Sequence, residues 1–251
     1  MLSTIVIICI FGFLAAAVDA IAGGGGLISL PALLLVGIPP HLALGTNKFA
    51  STMGSFNSSI TFARSGKVNF RLVKWLVPFT FLGACLGVWS VLRVSPDFLN
   101  KIVPILVLFV GIYSIIHKTL GIEDQFQGLK RSSILLGVTF SFALGFYDGF
   151  FGPGTGSFLI FAFITIYGFD FVSASANSKV LNFTSNLASL LLFAWNGKIL
   201  YQYGIPMALS MLVGSQVGTR LAITRGARLV KPIFITMSLF VAFKLIWQSF
   251  N

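Results

Sequence analysis

The stretch Asp19-Ala20-Ile21-Ala22-Gly23-Gly24-Gly25-Gly26-Leu27 decides how this chain folds. An apolar run, 2–22, carries one carboxylate close to its end and then breaks into four glycines. A second stretch has the same plan: Asp148-Gly149-Phe150-Phe151-Gly152-Pro153-Gly154-Thr155-Gly156. In both, the aspartate precedes the glycine cluster by the same spacing, and a short apolar run follows (27–38 and 156–167). At 1.5 Å per residue such a run covers only ~18 Å, too little for a hydrocarbon layer of ~30 Å.

Working outward, the two halves stay in register. Thr46-Asn47-Lys48 stands against Asn177-Ser178-Lys179, Gly66-Lys67 against Gly197-Lys198, Gly83 and Gly87 against Gly214 and Gly218, and Pro104 against Pro232. The ordered matches identify an internal repeat. Its boundary falls in the polar stretch around Glu123, Asp124, Gln125, Gln127, Lys130 and Arg131, giving a first repeat at 1–117, a loop at 118–130 and a second repeat at 131–251.

Composition fixes the class. The 251 residues are 56% hydrophobic and 9% charged, with a mean hydropathy of +0.95. A soluble domain carries about 25% charged residues. A water-soluble fold and a disordered chain are both excluded, leaving an all-α polytopic membrane protein. Further apolar runs at 41–63, 72–92, 97–117, 130–150, 173–194, 201–221 and 227–248 bring the expected count to eight to ten membrane segments. Residues 1–18 hold no Lys or Arg, so the first run reads as a retained membrane element rather than a cleaved leader.

The net charge of +11 does not point to nucleic acid, because most basic residues sit in short loops between apolar runs. Arg64, Lys67, Arg71, Lys74, Lys118, Lys130, Arg131, Arg220, Arg225, Arg228 and Lys231 belong inside; Arg93, Lys101 and Lys198 belong outside. That parity makes the repeats inverted, with both termini outside. Inverted repeats with interrupted helices are the plan of many secondary transporters.

The chemistry expected at the centre follows. A helix that starts inside the membrane exposes backbone N–H groups and a partial positive end. Glycine lets a ligand approach that backbone closely. The starts at Gly23–Gly26 and at Gly152, Gly154, Thr155 and Gly156 would join Thr46, Asn47, Lys48, Asn177, Ser178 and Lys179 in a donor-rich pocket near the midplane. Such a pocket suits a small anion with several acceptor oxygens. The glycines would equally serve close helix packing, the preferred reading for Gly83, Gly87, Gly214 and Gly218. Asp19 and Asp148, the acids within apolar runs, are candidates for ion or proton coupling, lysine pairing or helix capping. Asn57, Asn182 and Asn186 could line the same cavity or bond between helices. Cys9, Cys85, His41 and His117 show no metal-ligand pattern. No catalytic residue, metal or cofactor is expected.

The run Asp19 through Leu27 with Gly45-Thr46-Asn47-Lys48, and the copy Asp148 through Gly156 with Asn177-Ser178-Lys179, resembles the TauE/SafE family of sulfite/organosulfonate exporters. The resemblance spans essentially the whole chain and implies a multi-pass inner-membrane permease for small, often sulfur-containing anions. It looks like the branch usually called probable membrane transporter proteins, which leaves substrate and direction open. Pro153 and Thr155 replace glycines of the first cluster, so the halves need not contribute equally. Expected partners are a small anion, the lipid bilayer and, in a homo-oligomer, further copies of the chain. An anion channel is the alternative; an intramembrane aspartyl protease, which needs two facing carboxylates, is a more distant one.

Overall fold

The computed structural model describes residues 2–98, 124–126, 128 and 130–225. The expected segments 97–117 and 227–248, the Pro104/Pro232 match and most of the 118–130 loop lie outside the described residues. Within them the chain forms eight helices: α1 (Leu2–Ala22), α2 (Gly26–Leu35), α3 (Pro40–Arg64), α4 (Phe70–Val91), α5 (Arg131–Phe150), α6 (Thr155–Tyr167), α7 (Phe171–Trp195) and α8 (Tyr201–Arg225). Each matches a sequence run to within a few residues, α2 and α6 being the two short ones.

Local chemistry sets the ends. Asn69 accepts from Leu72 N at 3.1 Å at the start of α4, and Asp170 accepts from Val172 N and Ser173 N at the start of α7. Such side-chain acceptors satisfy N–H groups that the first turn leaves open. Pro40 opens α3, where a missing N–H costs nothing.

Two apolar layers define the direction of every helix. One gathers Ile8, Ala16, Leu33, Leu44, Val91 and Phe193. The other gathers Ala22, Phe62, Leu72, Phe163, Leu181 and Ala222. Helices α1, α3 and α8 run from the first layer to the second; α4, α5 and α7 run back. The short α2 stays within the first layer, and α6 runs almost wholly within the second. Corresponding helices of the two repeats therefore point in opposite directions, and the repeats are inverted. Each opens with a crossing helix, followed by a half-length helix that turns back.

The repeats also interlock. α1 packs along α8, and α5 packs along α4. At the first contact a Cβ on Gly214 would strike the Phe13 carbonyl, and one on Gly218 the Ala17 carbonyl. At the second, Gly83 and Gly87 meet the Phe142 and Phe146 carbonyls in the same way. These four glycines serve backbone-to-backbone packing.

Among the described residues, three helices are both long and apolar enough to cross a membrane: Ser3–Ala22, Phe70–Val91 and Arg131–Phe150. Helices α3, α7 and α8 are longer but more polar, because they carry the buried interior. Ser55, Ser58 and Ser59 on α3 and Ser178, Ser185 and Ser189 on α7 are all buried. The outer faces are greasy: Trp75, Phe79, Leu82, Leu86 and Trp89 form an exposed stripe along α4 at helical spacing.

Candidate functional site

Among the described residues every buried charge is paired across the repeats. Lys48 Nζ on α3 lies 2.8 Å from Asp148 Oδ2 on α5. Lys179 Nζ on α7 lies 2.7 Å from Asp19 Oδ2 on α1. Each lysine of one repeat is thus neutralised by the aspartate of the other. The side chains of Lys48, Asp148 and Lys179 are at most 3% exposed, whereas Asp19 keeps 24%.

The hydrogen bonds around the pairs differ. Lys48 also donates to Asn186 Oδ1 at 3.1 Å, and Asn186 Nδ2 donates to Ser55 Oγ at 3.4 Å. The Ser185 hydroxyl donates to Asp148 Oδ2. Asp19 uses its second oxygen, Oδ1, to accept from Gly25 N at 3.2 Å, so it both caps the approach to α2 and holds Lys179. Two of the three roles open to these carboxylates from sequence, lysine pairing and capping, are therefore visible in the geometry.

The glycine clusters meet one another. Gly23 and Gly152 occupy equivalent positions with φ of +77° and +99°, a left-handed turn that a side chain would strain. Gly23 O accepts from Ser157 N at 3.0 Å, and the Ser157 hydroxyl donates to Ala22 O at 3.0 Å. A Cβ on Gly156 would collide with Gly23, and one on Gly26 with Pro153. This seam revises the expectation of bare helix tips. Gly25 N is taken by Asp19 and Ser157 N by Gly23, so the clusters serve close packing as well as bordering open space.

Beside the seam lies a small polar cavity with an open mouth. Asp19, Gly23, Gly25, Gly26, Asn47, Lys48, Asp148, Gly152, Gly154 and Gly156 border it. Asn47 is 5% exposed, and its Oδ1 has no hydrogen-bond partner among the described residues. Ser51, Ser55, Asn182 and Asn186 complete the polar wall. Asn182 and Asn186 were candidates from sequence, but the serines were not. Their signal is a polar stripe at positions 48, 51, 55 and 58 of α3, repeated at 179, 182, 186 and 189 of α7. The three- and four-residue steps place each set on one helix face.

Gly24, Thr46, Thr155, Asn177, Ser178 and Lys179 lie elsewhere. Thr46 Oγ1 accepts from Leu200 N at 3.0 Å, and Asn177 Oδ1 accepts from Asn69 N at 2.8 Å. These mirrored bonds tie the middle of one repeat to the α3–α4 or α7–α8 turn of the other. Thr155 donates to Gly152 O and Ser178 to Ser175 O. Nor do the backbones of the two lysines share one depth. Ser59 Oγ donates to Lys179 O, and Ser59 lies eleven residues beyond Lys48 on α3, ~16 Å along the axis. Lys48 faces the cavity while Lys179 reaches it only through Asp19. Asn57 bonds to Leu212 O, Ser215 and Gln216 on α8 rather than to the cavity.

Inverted, interlocked repeats with half-length helices and charges buried against a polar cavity define a polytopic membrane transporter. The comparisons agree. The family model for sulfite exporter TauE/SafE matches residues 8–245, and this chain belongs to that family. It is 42% identical to a "Probable membrane transporter protein" of Haemophilus influenzae over 97% of this chain and 94% of the relative. It is 39% identical to the "Probable membrane transporter protein YfcA" of Escherichia coli K12, over 94% of this chain and 87% of the relative. A third relative, "Probable membrane transporter protein ORF9" of Sinorhizobium, is 38% identical over 93% and 89%. No solved structure matches the chain.

Proposed function

We propose that this chain is a secondary transporter for a small anion, either sulfur-containing (sulfite or a sulfonate) or a carboxylate, working by alternating access of its inverted repeats. The observation that carries the reading is Lys48, a nearly fully buried ammonium on the wall of a polar cavity. Asn47, Ser51, Asn182 and Asn186 border that space with amide and hydroxyl groups that can donate to anion oxygens, while the Ser55 hydroxyl is already given to Ser51 O. The name of the matching family, sulfite exporter, supports a sulfur oxyanion.

Lys48 becomes the primary anion contact once its pairing with Asp148 is given up. Lys179 takes the equivalent role when the cavity opens along α7. The Phe62–Leu72 end of the bundle carries Arg64, Lys67, Arg71, Lys130, Arg131 and Arg225 near its helix ends, while Arg93 and Lys198 lie by the other end. This bias supports the first end facing the cytoplasm of a bacterial-type inner membrane. A protease reading finds no support, because each carboxylate faces a lysine rather than its fellow.

The test is flux into proteoliposomes of labelled sulfite, isethionate and acetate. Saturable uptake with counterflow is expected of a carrier; large single-channel currents would make it a channel. Unchanged flux in the Lys48→Ala/Lys179→Ala double variant would remove the binding role.

A further inference from the structure

We propose that Asp148 is the proton-binding group that releases Lys48 to the anion, which makes the chain an anion–proton symporter. The inference rests on the transport reading above and names its coupling ion.

In the form described, Lys48 is not free to bind a substrate. Its ammonium is occupied by Asp148 Oδ2 and Asn186 Oδ1. The site's charge is Lys48 (+1) and Asp148 (−1), which sum to zero. A monovalent anion entering this setting would leave two negative groups around one ammonium in a site that excludes most water. An uncompensated charge buried in this way is strongly disfavoured. A proton on Asp148 removes the conflict: the carboxyl is neutral, the ammonium pairs with the anion, and the sum is again zero. One proton therefore travels with each monovalent anion.

The surroundings suit that exchange. Asp148 borders the cavity, so a proton from cavity water reaches its carboxylate without crossing packed side chains. The proton forms an O–H bond on the carboxylate as the Lys48–Oδ2 ion pair is given up, and the reverse occurs when the anion leaves. Ser185, a hydroxyl that can donate or accept, stays beside Asp148 in both forms. From α3 the group facing Asp148 is Lys48, and from α7 it is Ser185, with Asn186 on the far side of the Lys48 ammonium as its other partner. On its own helix the neighbouring Tyr147 is neutral, its hydroxyl donating to Pro153 O at 2.8 Å. α4 packs by its glycines and holds Arg71 and Lys74 near its far end, and α6 carries no charged residue. Asp19 borders the same cavity but is held by Lys179 and Gly25 N. Among the described residues no second cation pairs with Asp148; the Ser185 hydroxyl, which shares Oδ2 with Lys48, is neutral.

Asp19 is the contrasting case. Its lysine does not border the cavity, and its other oxygen holds a backbone amide. In this form Asp19 positions the start of α2 and carries no coupling proton.

The experiment uses the full chain in liposomes containing a trapped pH indicator. The probes are methanesulfonate and isethionate, strong-acid anions that carry no proton of their own at any working pH. An inward anion gradient is expected to acidify the lumen. Flux of either anion without acidification overturns the coupling alone; no flux of either overturns sulfonate transport and the coupling with it. In binding measurements the wild-type Kd for methanesulfonate rises tenfold per pH unit where Asp148 is ionised, as uptake of one proton per anion requires. Asp148→Asn loses that slope and loses accumulation driven by a pH gradient, while Asp19→Asn keeps the slope. A slope retained in Asp148→Asn, or lost in Asp19→Asn, overturns the assignment. Should Asp148→Asn fail to fold, calorimetry of the wild-type protein in two buffers of different ionisation heat decides. One proton taken up per anion bound is expected, and zero refutes the proposal.

Discussion

Replacing Lys48 by Met strands Asp148 in a place where it is 2% exposed. At 2.8 Å the pair's attraction is about 6 kcal/mol at an effective dielectric of about 20. Desolvating two ions offsets most of that, so the pair as a whole adds little stability. Removing one member is different, because the survivor keeps its desolvation cost and loses its compensation; the expected loss is about 3–5 kcal/mol. For a chain of this length that corresponds to a fall of roughly 6–20 °C in the unfolding midpoint. Lys48→Met/Asp148→Asn, which removes both charges, should recover most of it. Acidification should narrow the Lys48→Met deficit, since protonating the stranded carboxylate removes the buried charge; the deficit is greatest at high pH. The assay is thermal unfolding of the detergent-solubilised protein followed by intrinsic fluorescence, with both single variants and the double. A double variant as unstable as Lys48→Met, or a single variant that loses nothing, would refute the argument that each buried charge depends on the other for compensation.

The other pair gives a graded comparison. Lys179→Met strands Asp19, which keeps 24% exposure and a bond from Gly25 N, so its midpoint should fall by less than that of Lys48→Met. Gly87→Ala and Gly218→Ala each force apart two helices in backbone contact; a loss of about 1–3 kcal/mol apiece is expected, read as a lower midpoint without change in anion selectivity. Thr46→Ala and Asn177→Ala should cost similar amounts, about 1 kcal/mol each, because they delete mirrored bonds to Leu200 N and Asn69 N; unequal losses would show that the halves are not mechanically equivalent. Cysteines at 54 and 58, which border the cavity, should react with a small water-soluble thiol reagent in the resting protein, and cysteines at 185 and 189 only during turnover with substrate. Labelling at 185 that ignores substrate would contradict alternation between the repeats.

Much of this was legible in the chain itself. The spacing from Asp19 to its glycines and from Asp148 to its own identified the repeat. The placement of Arg64, Arg71, Arg131 and Arg220 predicted opposed helix directions, which the two apolar layers display. The partners of the charges were not legible. In linear count Asp19 stands far nearer Lys48 than Lys179, yet the packing of α1 on α8 and α5 on α4 sends each carboxylate to the lysine of the opposite repeat. Nor does a glycine cluster declare whether its amides await a ligand or a neighbouring backbone; the Gly23–Ser157 bond decides that, and it joins residues 134 positions apart. The roles of Thr46 and Asn177 were hidden for the same reason. They sit beside lysines in sequence but turn toward the α7–α8 and α3–α4 turns. Ser51 and Ser55 could have been found, since their spacing from Lys48 already drew a polar line along α3.

The exchange of opening helices between the halves bears on ancestry. A gene encoding one half alone would leave the flank of its fourth helix, with its exposed glycines, without a mate. It would find one only in a sibling chain threaded through the bilayer upside down. Expressing 1–117 and 118–251 as separate polypeptides should therefore yield a soluble-in-detergent complex only when both are made together. A stable, folded product from either fragment by itself would argue that duplication came before the braiding.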